Sequence, residues 1–107
     1  MKKVFISIPM NNKSDDQIHS EMNAAKDRLS KIFTDKFEVL DSFINETYDS
    51  PLMYIAKSIE ILSKADVAYF VKGWQSARGC NIERLCCEEY GIPIIEDTPI
   101  VEYNRNK

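Results

Sequence analysis

Long apolar runs are missing from this 107-residue chain. None reaches the roughly 18 residues that a bilayer-crossing helix needs, which excludes a membrane-spanning helix and any membrane partner that one would imply. Basic charge is in deficit too. Fourteen Lys and Arg face 17 Asp and Glu, a formal net charge of −3, so the positive field that a nucleic-acid polymer demands is absent, although a local site for a single nucleotide is not. Cysteine is scarce and odd in number. Cys86 and Cys87 are adjacent, Cys80 stands apart, and there is no Cys-x-x-Cys or His spacing around them; reduced thiols in a core, and hence a cytoplasmic setting, are the expectation. Histidine occurs once, as His19, with no second His to form a ligand pattern. No metal or cofactor is implied.

Three Gly and four Pro within a composition that is 44% hydrophobic and 29% charged exclude a collagen, a mucin-like stalk or a disordered tail. The length suits one domain, residues 1–107, burying roughly two thirds of its unfolded surface. Met1-Lys2-Lys3 ahead of Val4-Phe5-Ile6-Ser7-Ile8 has the look of a signal peptide, but Pro9 and a polar run follow after five residues. An exported protein is not expected.

Val4-Phe5-Ile6-Ser7-Ile8 is nearly continuous in apolar and β-branched character, as in a strand covered on both faces. Residues 15–33 repeat Ile18, Met22, Ala25, Leu29, Ile32 and Phe33 at helical spacing behind Ser14 as N-cap. Phe37-Glu38-Val39-Leu40 reads as a second strand. Pro51 opens a second helix whose inward stripe is Ile55, Ile59 and Leu62. Val67-Ala68-Tyr69-Phe70-Val71 is a third strand, with Tyr69 in the sheet core. Residues 81–90 form a third helix, marked by Ile82, Leu85, Cys86 and Glu89 and ended by Gly91. Pro93-Ile94-Ile95 is a fourth strand; Ile100-Val101 adds a brief segment before a mobile C-terminal end. Strands alternating with helices predict a small doubly wound α/β domain of three layers, Rossmann/flavodoxin-like, with a parallel sheet ordered 2-1-3-4.

In such a sheet, ligands lie beyond the carboxyl ends of the strands where the winding reverses. That singles out Pro9-Met10-Asn11 with the polar residues behind it, and Lys72-Gly73-Trp74-Gln75-Ser76-Ala77-Arg78-Gly79. The second loop combines two glycines, a hydroxyl, a guanidinium and an indole ahead of a helix, a donor set for an anionic oxygen such as a terminal phosphate. Each residue also has a plainer reading. Ser76 is either a phosphate donor or a cap, Arg78 a phosphate partner or a solvated charge, and Gly73 and Gly79 a cradle or simple turns. Trp74 stacks on a base or seals its loop. Cys80, near the helix start, has a mild argument for a lowered pKa. Glu83 is either a solvated glutamate or a carboxylate aimed at the cleft, kept ionised by the helix start and so suited to nucleophilic attack.

Phe5-Ile6-Ser7-Ile8-Pro9-Met10, Ser58-Ile59-Glu60-Ile61-Leu62-Ser63-Lys64-Ala65-Asp66 and Gly73-Trp74-Gln75-Ser76-Ala77-Arg78-Gly79-Cys80-Asn81-Ile82-Glu83 together resemble the nucleoside 2-deoxyribosyltransferase-like superfamily. The pattern is nearest to its small bacterial and phage branch with a Gly-Trp-x-x-Ser…Glu signature, over residues 3–95. The resemblance implies cleavage or transfer of an N-glycosidic bond in a nucleoside or nucleoside 5′-monophosphate. Glu83 matches the glutamate that attacks the anomeric carbon, Ser76 the serine at the 5′-phosphate, Asp66 an acidic residue at the start of the third strand, and Pro9-Met10 the turn that holds the sugar and base. Tyr48 or Tyr54 is either a cleft aromatic or a packing residue. A homodimer or larger homo-oligomer is also implied. Ile8 stands where that turn usually has glycine, and the stretch from Ser76 to Glu83 is one residue longer than in the nucleotide-hydrolysing relatives. A non-catalytic nucleotide-binding or regulatory module is the alternative.

Overall fold

A computed structural model describes residues 1–41 and 47–97. Four strands form one sheet ordered β2-β1-β3-β4, every pair parallel: β1 (Lys2–Ser7), β2 (Phe37–Val39), β3 (Val67–Phe70) and β4 (Ile94–Glu96). The helices α1 (Asp15–Ile32), α2 (Pro51–Leu62) and α3 (Arg78–Tyr90) make the crossovers. The order 2-1-3-4 and the three-layer α/β architecture are those expected from the alternation of strands and helices. The segment Ile100-Val101 and the C-terminal end lie outside the described residues.

Pairing puts Val4 beside Val67 and Ser7 beside Phe70, and the twofold alternation of strand side chains then divides the chain between two cores. Val4, Ile6, Ile8, Val67, Tyr69 and Val71 meet Met22, Ala25 and Leu29 of α1 on one face. Phe5, Ala68 and Phe70 meet Leu62 of α2 and Cys87 of α3 on the other. Ser7, two residues after Phe5, faces α2 and α3 for the same reason.

The helix ends follow their sequence signals. Ser14 and Gln17 close a reciprocal capping box at α1, Ser50 caps α2 with Pro51 in its first turn, and Gly91 ends α3 in the left-handed region at φ 73°. The inward stripes depart from expectation. On α1, Ile32 is half exposed. On α2 the buried residues are Ser58 and Leu62, with Ile55 and Ile59 only half buried. α3 starts three residues earlier than expected, and its buried face carries Cys80, Glu83 and Cys87 while Leu85 is exposed. The three-residue spacing from Cys80 to Glu83 and four to Cys87 is as helical as the expected stripe, rotated about the axis. Among the described residues, no helix is long and apolar enough to cross a membrane.

Candidate functional site

Beyond the carboxyl ends of β1 and β3 a cavity of about 400 Å³ opens between the sheet, α1, α2 and the start of α3. Glu83 lines it, with Ser7 and Ile8 from β1 and its loop, Ser58 and Tyr54 from α2, and Cys80 from α3. Glu83 is 7% exposed. Ser7 Oγ donates to Glu83 Oε1 at 2.7 Å, and Ser58 Oγ donates to Oε2. Burial pushes the Glu83 carboxyl above the ordinary carboxylate range, while the Ser58 and Ser7 hydrogen bonds pull it back. Because α3 begins at Arg78, Glu83 is its sixth residue. That lies past the first turn, where the helix dipole acts; the hydroxyls, rather than the helix start, support its charge.

A second cavity of about 520 Å³ lies toward solvent, lined by Tyr48, Asp49, Ser50, Ser76 and Arg78 among others. Asn11, Tyr54, Ile55 and Gly79 line both, so the two form one cleft with an inner and an outer chamber. Gly79 allows the narrow join: a Cβ there would stand 2.9 Å from Ile55 Cδ1. Tyr48 and Tyr54 pack edge to face with centroids 5.1 Å apart, and the Tyr48 backbone N–H donates to the Tyr54 hydroxyl at 3.1 Å. Of the two tyrosines singled out in sequence, both reach the cleft and also pack on each other.

The expected site residues divide into three groups. Glu83, Met10, Asn11 and Gly79 come together at the inner chamber, and Ser76 and Arg78 at the outer. Ser76 also serves its own turn, its hydroxyl donating to the Gly73 carbonyl at 2.8 Å. Pro9 is buried, and Gly73, at φ 90°, makes the turn beside it: the Pro9 ring lies 3.9 Å from where Gly73 would carry a Cβ. Neither Pro9 nor Gly73 lines a chamber, so they shape the loops from behind.

Two residues sit elsewhere. Trp74 packs edge-on against Phe70 at 5.6 Å, under the Arg84 guanidinium at 4.6 Å, and seals its loop against the α2/α3 core. Its indole is spent there rather than on a base. Asp66 stands at the opposite end of the sheet, its carboxylate accepting from the Lys3 backbone N–H at 2.8 Å. The four residues of β3, about 13 Å of strand, separate it from the cleft, so the catalytic expectation for Asp66 is corrected to a structural one. The Cys80 expectation is likewise reversed: burial pushes its thiol up to about 11, with the Ser7 hydroxyl opposing and the Glu83 charge adding.

Ser7 and Ser58 were not singled out in sequence. The signal was present in each case, a lone hydroxyl inside an otherwise apolar strand and a serine four residues before Leu62 on the inward face of α2. A buried hydroxyl requires a partner. Cys80, Cys86 and Cys87 are all free thiols.

An open parallel sheet of this order, with its cleft at the reversal of winding, is of the Rossmann/flavodoxin-like class. Within that class, the crystal structure of a conserved protein from Enterococcus faecalis V583 is similar, with a TM-score of 0.63 and 17% sequence identity over 90% of this chain. The chain spans 62% of that protein's length. At this identity the likeness shows the fold. No protein-family model matches the chain, and no curated protein sequence is similar to it.

Proposed function

We propose that the protein cleaves the N-glycosidic bond of a nucleoside or nucleoside 5′-monophosphate, by hydrolysis or transfer, with Glu83 as nucleophile. The observation that carries the reading is a buried carboxylate facing a 400 Å³ chamber at the reversal of winding, a volume in the range of small-molecule sites. The sugar fits the inner chamber with C1′ against Glu83, and the phosphate the outer one, near Arg78 and Ser76. As the C1′–N bond breaks, its electron pair leaves with the base nitrogen, which takes a proton from water, and positive charge spreads over C1′ and the ring oxygen. A Glu83 oxygen then bonds to C1′, and water or a second base resolves that ester. Holding the phosphate far from C1′ supplies binding energy and orientation to the reacting centre. The reading includes assembly as a homodimer or larger homo-oligomer, which light scattering checks.

Release of free base from a panel of nucleosides and 5′-monophosphates tests the activity. Glu83→Gln is expected to lower the rate by about 10³-fold or more. Equal release by the parent and Glu83→Gln rejects Glu83 as nucleophile.

One observation favours a second reading, a non-catalytic nucleotide-binding or regulatory module. Both Glu83 oxygens already accept hydrogen bonds, as they would in a carboxylate that only shapes a pocket. Calorimetric binding of a nucleotide without product after long incubation selects this reading.

A further inference from the structure

Glu83 is gripped from two layers of the fold. Ser7 comes from β1 and Ser58 from α2, and each donates to a different carboxylate oxygen. All three side chains are buried, Ser7 at 1% and Ser58 at 8% exposure. Two donors on two oxygens favour a carboxylate over a carboxylic acid. A proton on either oxygen would compete with the hydroxyl already pointing at it, forcing that serine to turn and accept. A quarter turn of the carboxylate about Cγ–Cδ would break both bonds.

We propose that Ser7 and Ser58 are positioning residues, a pair of hydroxyl donors drawn from the sheet and from α2 that holds the Glu83 carboxylate ionised and in one orientation facing the inner chamber. The catalytic meaning of this clamp rests on the reading of Glu83 as nucleophile; the clamp itself concerns only charge and orientation.

Other groups around Glu83 do not replace the serines. Cys80 and Cys87 on α3 are held as neutral thiols by burial. Asp15 from the start of α1 and Tyr54 from α2 line the chamber, and neither carries a positive charge at neutral pH. Lys13 precedes α1 and its charge is felt at Cys80, but its ammonium pairs with Glu21 at 2.7 Å. The favourable interactions that oppose burial at Glu83 are the Ser58 and Ser7 hydrogen bonds.

Carbon-13 NMR of protein labelled at glutamate carboxyls follows Glu83 directly, its resonance assigned by its loss in Glu83→Gln. Ser58→Ala and Ser7→Ala are each expected to raise the Glu83 midpoint by about one pH unit or more. Ser58→Thr, which keeps the hydroxyl, is expected to return it toward the parent value. Near-UV circular dichroism checks the fold; should Ser7→Ala disturb the sheet, Ser58→Ala and Ser58→Gly on α2 answer the same question. Midpoints unmoved by loss of either hydroxyl, or a Thr variant displaced as far as Ala, overturn the clamp. In an active enzyme, the acidic limb of the pH–rate profile moves with the midpoint. The titration needs no substrate, so the two ideas fail separately. Moved midpoints without base release from any nucleotide leave the clamp and remove the glycosidic reading. Unmoved midpoints in an enzyme that Glu83→Gln inactivates do the opposite.

Discussion

The two faces of the sheet are both buried but filled with different chemistry. Against α1, the buried side chains are Val, Ile, Leu, Met, Ala and the ring of Tyr69, with Phe33 and Phe37 partly buried at the margin. Against α2 and α3, Phe5, Phe70 and Leu62 share the interior with Ser7, Ser58 and Glu83, which besides the Tyr69 phenol are the buried side chains bearing oxygen among the described residues. The α1 face is built for stability, since apolar burial there is unopposed by desolvation of charge. The other face carries a carboxylate whose removal from water is only partly offset by two hydroxyls. A protein has little thermodynamic reason to keep such a group, and the group borders the cleft.

The largest effect is expected where the α1 face is cut. Leu29 is fully buried, and Leu29→Ala should lower unfolding free energy by about 3 kcal/mol, in the range of ~2–5 for buried leucines, as read by urea denaturation. Replacing the polar cluster as a unit, with Ser7→Ala, Ser58→Ala and Glu83→Leu together, should act in the other sense. The triple variant is expected to match or exceed the parent in stability by up to a few kcal/mol, on the order of what apolar replacement of buried ion pairs gives. A large loss there would show the cluster to be a structural necessity and dissolve the contrast between the faces.

The smallest effect is a dependence on pH. The Glu83 carboxyl has a higher pKa folded than unfolded because burial opposes its charge. Between the two values the unfolded chain has released a proton that the folded protein retains, so stability falls as pH rises through that window and levels off above the folded value. Below the unfolded value, near 4.5, the group contributes nothing. Relative to Glu83→Gln, the parent should therefore be at its most stable below about pH 4, under the ordinary Glu range, and should lose ground to the variant as pH rises toward neutrality. A parent that gains on the variant as pH rises toward neutrality would mean that the hydroxyls outweigh burial.

Much of the scaffold was legible in the chain itself. Ser14 with Gln17, Pro51 and Gly91 mark helix ends by local chemistry. The repeat of Ile18, Met22, Ala25 and Leu29 marks the buried face of α1. Strands separated by helical crossovers require parallel pairing, and right-handed crossovers leave few orders for four strands. Glu83 and its neighbouring loop were legible as candidates, but not the grip on Glu83. Ser7 lies 76 residues from it and Ser58 lies 25. Asp66 and Trp74 carried the right residue types in suggestive places; strand direction put Asp66 at the far end of the sheet, and contact with Phe70 and Arg84 drew Trp74 into the packing.

Periodicity and capping act over one or two turns, so the chain alone indicated the order of strands and helices, how they wind, and which loops border the reversal. Which polar side chains meet was decided only by the tertiary structure. Pleat alternation turned Ser7 toward α2 and α3, the early start of α3 set the rotation of Glu83 about its axis, and the close approach of Gly79 to Ile55 brought α2 near enough for Ser58 to reach the same carboxylate. A hydrogen bond about 3 Å long depends on all three at once, and each is fixed by packing between elements distant in the sequence.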